Sequence, residues 1–301
     1  MTPRKTPSRR SSRRRRALWA LGAAVVSLAF LLGLWWGGPG PQPPVPQRPT
    51  PKAVQAPKAK PTAQPVKQAP QQDATASRPP IPRIALIIDD MGHGLAPATR
   101  LAALNLPLTL SILPHAAQAE AVARLARSNN LEVMLHLPME PRGYPGRDPG
   151  PGALLCGMPR DVLLATLRDN LARVPHAAGV NSHMGSEFSL RPELLEPVLL
   201  ELKKRDLFYL DSFTSPDSQG LATARRLGLR TGRRDVFLDH QVSREAIDRQ
   251  MERLLNLARK RGRAVAIGHP HPETIKALQY WAPRLRRQAT LVKVSEILDA
   301  P

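Results

Sequence analysis

Residues 84–94 read IALIIDDMGHG, and this stretch decides how the rest of the sequence is interpreted. Its first five residues are continuously apolar, which is typical of a strand covered on both faces in a parallel sheet. Two aspartates, Asp89 and Asp90, follow at the carboxyl end of that strand. Because side chains alternate along a strand, the two carboxylates are predicted to point to opposite sides of it.

Downstream of this strand, short apolar runs alternate with amphipathic stretches. The predicted strands are 84–88, 108–113, 132–136, 179–183, 207–211, 236–238, 264–268 and 290–294. The predicted helices are 95–104, 118–128, 160–173, 192–205, 243–260 and 272–286. Such alternation predicts an α/β domain with a parallel sheet and right-handed crossovers. Periodicity alone is compatible with both a closed barrel and an open doubly wound sheet.

The N-terminal region predicts where the protein is located. A basic tail, residues 1–16, leads into residues 17–36, which are twenty residues without a charge. A helix rises about 1.5 Å per residue, so this run is long enough to cross a bilayer. The arginines are expected to stay in the cytoplasm, which directs the rest of the chain to the periplasm. The run is interpreted as a transmembrane signal anchor in the inner membrane, with cleavage as a signal peptide as the alternative.

Composition separates the N-terminal region from the folded part. Residues 37–82 hold 14 of the 33 prolines and are predicted to form a disordered linker. Residues 1–82 carry fourteen Lys or Arg and one acidic residue, so they account for most of the formal charge of +20. Residues 83–301 are therefore only moderately basic. Anionic lipid headgroups explain the N-terminal arginines. With three Tyr and five Phe in the chain, aromatic side chains for base stacking are few, and no nucleic-acid partner is predicted.

Acidic residues and histidines gather where the predicted strands end. In a parallel α/β fold these ends surround one site. Carboxylate and imidazole together are a ligand set for zinc or another divalent ion. A metal-bound water, a carboxylate base and a histidine acid suffice to hydrolyse an amide or an ester. Six of the eight histidines lie at or just past such an end: His115, His136, His183, His240, His269 and His271.

Two other chemistries are not supported. Gly92 and Gly94 lack the remaining glycine of a dinucleotide-binding motif, and the adjacent aspartates would repel a pyrophosphate, so no nucleotide cofactor is predicted. Cys156 is the only cysteine, which excludes an intramolecular disulfide and a Cys-rich zinc site. It lies in a Gly/Pro-rich loop, residues 139–158, away from any predicted strand end. That loop is interpreted either as shaping substrate access or as a plain surface excursion.

Seven stretches of the folded part carry a resemblance to a known family. They read IALIIDDMGHG (84–94), LPLTLSILPHA (106–116), EVMLHLPMEP (132–141), GVNSHMGSEFS (179–189), FYLDSFTSPDS (208–218), VFLDH (236–240) and AIGHPHPETI (266–275). In order and spacing they resemble the divergent polysaccharide deacetylase family, bacterial envelope proteins related to the nodulation-type chitooligosaccharide deacetylases. The resemblance covers residues 83–298 and implies a distorted (β/α)7 barrel for the domain 83–301.

The resemblance also implies roles for individual residues. In the wider superfamily the first strand ends in a catalytic base and then a metal ligand, and these roles fall on Asp89 and Asp90. A second motif supplies two histidine ligands four residues apart; here His136 is kept and Glu140 stands at the second position. Carboxylate oxygen is an acceptable zinc ligand. The ligand set chosen on this basis is Asp90, His136 and His183; the alternatives are Glu140 as the third ligand and a site that binds metal poorly.

The later family motifs are matched less completely. A histidine after a late apolar strand acts as general acid in the superfamily, and His269 matches that position. His271 and Asp211 are candidate metal or substrate contacts; Asp211 corresponds loosely to an acidic residue that supports the histidine. The arginine-proline motif that holds the base has no clear equivalent, because NSHMGS occupies that stretch.

Together these features predict a metal-dependent hydrolase, with zinc as the expected ion, that removes N- or O-acetyl groups from an envelope polysaccharide such as peptidoglycan. The expected partners are that envelope glycan and the inner membrane. The alternative is a glycan- or protein-binding envelope factor that has kept the fold and lost turnover. The glutamate at position 140 and the missing arginine motif favour this alternative.

Overall fold

The computed structural model of the protein describes residues 81–299. The predicted cytoplasmic tail 1–16, the predicted membrane helix 17–36 and nearly all of the predicted linker 37–82 lie outside the described residues. Within residues 81–299, every helix is too short or too polar to cross a membrane.

One curled sheet of parallel strands organises the part of the chain that the structure describes. Its order is β6-β5-β4-β3-β2-β1-β8-β7, with β9 also paired to β1. Only two residues separate β6, at one edge, from β7, at the other, so the two edges lie close together and the sheet must curl. The distorted barrel predicted from the resemblance is confirmed, in an incompletely closed form. The strands are β1 (Arg83–Met91), β2 (Thr109–Ile112), β3 (Glu132–Met139), β4 (Ala177–Met184), β5 (Phe208–Asp211), β6 (Thr231–Arg233), β7 (Val236–Phe237), β8 (Arg263–Gly268) and β9 (Thr290–Val292).

Helices follow most strands, as parallel connections require. They are α1 (Leu95–Ala102), α2 (Ala119–Ser128), α3 (Arg160–Arg173), α4 (Pro192–Lys204), α5 (Gly220–Arg226), α6 (Arg244–Arg261) and α7 (Pro272–Gln288). All eight predicted strands and all six predicted helices are confirmed, with bounds that differ by at most three residues at either end. The sequence did not predict α5 and β6. The seven residues of α5 and the three of β6 are too few to establish a period.

The hydrophobic core has two parts because alternate side chains of each strand face opposite ways. Leu86 and Ile88 of β1 belong to the larger cluster, which includes the buried faces of the helices. Ala85 and Ile87 of β1 belong to a smaller cluster that contains no residue of α1–α7 and therefore fills the barrel interior. The other strand residues of this interior cluster are Met134, Phe208, Leu210, Val265, Ile267 and Val292.

Candidate functional site

The same alternation carries polar side chains into the barrel at the carboxyl ends of the strands. Asp89 continues the interior face of β1, His136 that of β3 and His269 that of β8. In β4, Val180 packs in the helix-facing core. Because side chains alternate along the strand, Asn181 and His183 face inward. One rule of strand geometry therefore brings residues that are far apart in sequence to one place.

The end of β1 departs from regular strand geometry. Asp90 has a φ of 53°, in the left-handed region, and the pairing of β1 with β2 shifts register between Ile88 and Met91. A bulge of this kind re-aims a side chain. The Asp90 carboxylate consequently turns toward His136, whose Nε2 lies 3.2 Å from Asp90 Oδ1 and 3.7 Å from Asp89 Oδ2. The prediction that the two carboxylates point to opposite sides was wrong, because it assumed unbroken alternation.

Three potential ligand atoms converge at this point. Asp90 Oδ1 lies 3.2 Å from His136 Nε2 and 3.0 Å from His183 Nδ1, and the two nitrogens are 3.2 Å apart. Oδ1 is buried and has no hydrogen-bond partner among the described residues. The edges of this triangle match the spacing of neighbouring ligands around a tetrahedral ion with bonds of about 2.0–2.1 Å. The three residues therefore fit a divalent metal ion.

Asn181 connects His136, a candidate metal ligand, with Asp89, the candidate base. Its Oδ1 accepts hydrogen bonds from His136 Nδ1 (2.8 Å) and from the Ser111 hydroxyl (2.6 Å). Its Nδ2 donates to both oxygens of Asp89, at 2.9 and 3.1 Å. Because Nδ1 of His136 carries the hydrogen toward Asn181, Nε2 presents its lone pair to the triangle. One amide thus sets the tautomer of a ligand and the orientation of Asp89.

Removing this amide is expected to destabilise the fold. Asn181→Ala leaves buried groups of Asp89 and His136 without partners, and each such group costs about 1–3 kcal/mol. We expect a loss of roughly 2–4 kcal/mol and a midpoint of thermal unfolding lower by roughly 5–15 °C for a domain of this size. The full chain is measured with a chelator present, so that metal binding does not contribute.

The matched control is Asn256→Ala, because Asn256 is an exposed residue of α6. It is expected to change stability by no more than about 0.5 kcal/mol. Equal midpoints for Asn181→Ala and Asn256→Ala would contradict the structural role given to Asn181.

His269 is supported by an aspartate from the neighbouring strand end. Its Nδ1 lies 2.9 Å from Asp239 Oδ1, and its backbone N–H donates to Asp239 Oδ2 at 2.6 Å. The Thr274 hydroxyl donates to the same oxygen at 2.7 Å. Nε2 of His269 therefore faces the triangle, 3.9 Å from Asp90 Oδ2. Asp239, together with His269 and His271, also forms a second group with metal-ligand spacing.

The electrostatics of the cluster favour a bound cation and a reactive carboxylate. Burial raises the pKa of Asp89, and the positive charge of His136 and the hydrogen bond from Asn181 offset this only in part. Burial also opposes ionisation of Asp90, but its contacts with His136 and His183 outweigh burial and hold its pKa well below the usual range. Burial lowers the pKa of His136, yet the charges of Asp89 and Asp90 outweigh it and raise that pKa.

The remaining predicted site residues lie outside this triangle. The Glu140 carboxylate accepts a hydrogen bond from the Cys156 backbone N–H at 2.7 Å, so it fastens the loop 139–158. Burial and the nearby charge of Glu140 raise the pKa of Cys156 to about 11, which leaves the thiol unreactive. Asp211 shares the helix-facing side of β5 with Tyr209, and its carboxylate accepts from the N–H groups of Phe213 and Leu221.

The strand-end histidines do not all meet. The rings of His271 and His269 have centroids 5.9 Å apart, so His271 lies beside the site. His240 lines the cleft described below. His115 is elsewhere: its Nε2 lies 3.1 Å from Asn170 Oδ1. Gly152 packs there with a φ of +76°, and a Cβ on it would come within 2.5 Å of His115 Nε2. His115 therefore supports the loop 139–158, and the expectation that it joins a common site was wrong.

A cleft of about 490 Å³ opens over the triangle. Its wall includes Asp89, Asp90, His136, His183 and His269 on the site side. The loop 139–158 contributes Arg147 to the wall, so this loop shapes access to the site. The other side is formed by Phe213, Arg234, Phe237 and His240.

Three functional residues were missed by the sequence reasoning. Asn181 was placed at the end of a predicted strand but was given no role, although a buried amide in an apolar strand is itself a signal, because it must find partners. Asp239 was likewise placed at the end of a predicted strand, as Asp89 was, but was given no role in the site. Arg234, on the connection between β6 and β7, carried no usable signal because β6 was not predicted.

The sequence matches a known family over nearly the whole described region. Residues 86–298 match the sequence model of the family described as "Divergent polysaccharide deacetylase". Two bacterial relatives are similar at full-domain length. The uncharacterised protein YibQ of Escherichia coli K12 is 32% identical over 219 residues, which are 73% of this chain and 68% of YibQ. An uncharacterised protein of Haemophilus influenzae Rd is also 32% identical over 219 residues, 71% of this chain and 76% of its own.

A solved structure is similar in fold and in sequence. The crystal structure of an uncharacterised protein from Agrobacterium tumefaciens C58 superposes with a TM-score of 0.68 at 30% identity. The match covers 72% of this chain and 89% of that protein. The curled parallel sheet is therefore shared with a relative whose structure was determined experimentally.

Proposed function

The chain belongs to the divergent polysaccharide deacetylase family, and we propose that it is a metal-dependent hydrolase that removes acetyl groups from an N- or O-acetylated envelope glycan such as peptidoglycan. The observation that carries this proposal is the triangle of Asp90, His136 and His183 beside the buried Asp89 and the Asp239-supported His269. A divalent ion held by the triangle, which we propose is zinc, would supply a water of lowered pKa and polarise the acyl oxygen.

The protein's own residues then account for the proton transfers. Asp89 accepts the proton of the attacking water, whose oxygen forms a bond to the acyl carbon. The bond from that carbon to the sugar nitrogen or oxygen breaks, and His269 donates a proton from Nε2 to the leaving atom. The products are acetate and a free amine or hydroxyl. Asn181 and Asp239 are positioning residues, since each orients one of these two groups without reaching the substrate.

The pH profile is expected to report on the Asp239–His269 pair. Burial lowers the pKa of His269, but the hydrogen bond and charge of Asp239 outweigh it and raise the pKa above the ordinary value of 6.5. A general acid must be protonated, so activity is lost as pH rises through this raised pKa. Asp239→Asn removes the negative partner, and the alkaline limb of kcat should move to lower pH. Acetate release at alkaline pH should fall by at least about tenfold.

The comparison for this variant is Asp217→Asn, since the Asp217 side chain is 71% exposed. Its pH profile should overlay that of the wild type. If Asp239→Asn lowered kcat by the same factor at every pH, a role for Asp239 in setting the protonation of His269 would be rejected.

The proposed function is tested by measuring acetate release from chito-oligosaccharides and from peptidoglycan by the full chain. We expect release that stops after chelation and returns when zinc or another divalent ion is added. Failure to release acetate from either glycan, by a chain that binds one metal ion, would refute the catalytic proposal.

A second candidate is a glycan- or protein-binding envelope factor on the same fold. It is favoured by the surroundings of Asp89, which is hydrogen-bonded by Asn181 and by no arginine of the described residues. The guanidinium of Arg234 donates instead to the carbonyls of Ser212 and Phe213, at 2.8 and 3.0 Å. This candidate predicts that Asp89→Asn leaves the cellular phenotype intact, and a phenotype equal to that of a deletion would reject it.

The proposed location rests on the sequence of residues 1–82. The uncharged run 17–36 behind a basic tail supports a single-pass anchor in the inner membrane, with residues 83–301 in the periplasm. The envelope glycan and the inner membrane are then the partners. Protease added to spheroplasts should digest the domain, and protection of the domain from protease would exclude a periplasmic location.

A further inference from the structure

A second cavity borders the cleft. It measures about 470 Å³ and shares four wall residues with the cleft: Phe213, Arg234, Phe237 and His240. The second cavity is therefore adjacent to the cleft, on the side where these four residues lie. We call this second cavity the arginine pocket, because its wall contains Arg233, Arg234, Arg253 and Arg261.

The arginine pocket is assembled by two elements. One is the end of β6 with the connection to β7, where Arg233 and Arg234 lie. The other is a single face of α6, since its wall residues recur at intervals of three or four: Gln250, Arg253, Leu257 and Arg261. Residues at this spacing lie on one side of a helix. The pocket is thus formed by a helix face packed along the closing edge of the barrel.

Most of the positive charge in the pocket is not neutralised within the protein. Arg261 pairs with Asp235, whose Oδ1 is 3.0 Å from Arg261 Nη1. Arg233, Arg234 and Arg253 have no carboxylate partner within 4.0 Å among residues 81–299. Four arginines thus face one acidic residue in the same wall.

Two of these arginines are held in place by aromatic rings. The guanidinium of Arg233 lies 4.6 Å from the centroid of Phe213, and that of Arg234 lies 4.9 Å from Phe237. Stacking on a ring fixes the plane of a guanidinium, and it leaves the N–H edges of Arg233 free. Arg234 already uses Nε and Nη2 on the carbonyls of Ser212 and Phe213, so only its remaining N–H groups are available. Such edges match a carboxylate in two-point hydrogen bonding. An apolar surface from Leu257 and the same rings lies beside them, as a sugar face requires.

We propose that the arginine pocket binds a carboxylate carried by the glycan substrate, on the sugar next to the one that loses its acetyl group. This inference rests on the proposed function for the position of the glycan, and it adds a substrate class: an acidic, carboxylate-bearing polysaccharide. A glycan is favoured over a nucleic acid because the pocket borders the cleft of the proposed hydrolytic site and is lined partly by apolar side chains.

The experiment compares two tetrasaccharides that differ only in charge. One is the N-acetylglucosamine tetramer. The other has the same acetylated backbone with a lactyl ether carboxylate on alternate sugars, as in glycan strands of peptidoglycan without peptides. Dissociation constants are measured by calorimetry for the full chain carrying Asp89→Asn, which keeps the ligands intact. Acetate release is measured in parallel for the chain without that substitution.

The carboxylated tetrasaccharide should bind more tightly than the neutral one, and added NaCl should reduce the difference. The double variant Arg233→Gln/Arg253→Gln should raise the dissociation constant of the carboxylated ligand about tenfold more than that of the neutral ligand. Both side chains are exposed, so folding should be unaffected. The matched control is Arg259→Gln on α6, since Arg259 donates to Gln288 of α7 and lies outside the pocket.

The proposal would be overturned if the chain with the unsubstituted pocket bound the two tetrasaccharides with equal affinity. It would also be overturned if the double variant reduced the affinity for both tetrasaccharides by the same factor. Displacement of the carboxylated tetrasaccharide by an oligonucleotide at lower concentration would also overturn it. Binding is read independently of turnover. Charge-selective binding without acetate release would therefore support the carboxylate site in the arginine pocket and reject the proposed function. Acetate release without charge-selective binding would support the proposed function and reject the carboxylate site.

Discussion

Asp90→Ala is expected to reduce the divalent metal bound by the full chain from about one ion to less than about one tenth of an ion per molecule. Asp90 contributes the only carboxylate of the triangle, and its Oδ1 lies within 3.2 Å of both histidine nitrogens. Without that charge, two neutral imidazoles remain, which hold zinc weakly compared with three or four ligands. Metal content is measured by mass spectrometry after dialysis against a fixed concentration of free zinc.

Glu140→Gln and His183→Ala complete this experiment, because they separate the two candidates for the third ligand. The Glu140 carboxylate is engaged by the Cys156 backbone N–H, so its amide variant should keep the metal. His183→Ala should lose it as Asp90→Ala does. The reverse pattern, with metal lost from Glu140→Gln and retained in His183→Ala, would reject the triangle as the metal site.

The fold was predictable where the sequence imposes a period. The run 84–88 has five apolar residues in succession and flanking polar residues, which fixes a buried strand. In α3, Leu163 and Leu167 are buried four residues apart, and the predicted helix 160–173 agrees with the structure at both ends. The choice between a barrel and an open sheet was not predictable from periodicity. It depends on how close the two edges of the sheet lie, which the two-residue connection from β6 to β7 determines.

The candidate site was predictable residue by residue but not as a geometry. Strand ends identify Asp89, His136 and His269, because parallel strands direct their carboxyl ends to one side. The bulge at Asp90 could not be foreseen, since an aspartate in the left-handed region costs little and leaves no mark in the sequence. The pairing of His269 with Asp239 joins residues 30 positions apart, and only the register of β7 on β8 sets it.

Asp89→Asn is expected to lower acetate release by about 10²- to 10⁴-fold, the usual contribution of a general base. Bound metal should stay near one ion per chain. Asp89 is buried, lies beside the triangle and is not one of its three ligand atoms, so the substitution removes the base and leaves the ligands in place. The asparagine keeps the size of the side chain and an oxygen that can accept from Asn181 Nδ2. Release is measured at saturating metal on the chito-oligosaccharide and on peptidoglycan.

This variant separates loss of the base from loss of the metal, because the two losses give different results in one preparation. A chain that keeps its metal but releases acetate at the wild-type rate would show that another group accepts the proton, and Asp89 would lose its assigned role. Loss of the metal from the variant would instead place Asp89 among the metal ligands. Asp89 Oδ2 already lies 3.7 Å from His136 Nε2. The result expected for a base held by Asn181 is full metal content with severely slowed hydrolysis. Asp217→Asn, which removes an exposed carboxylate elsewhere, should change neither quantity.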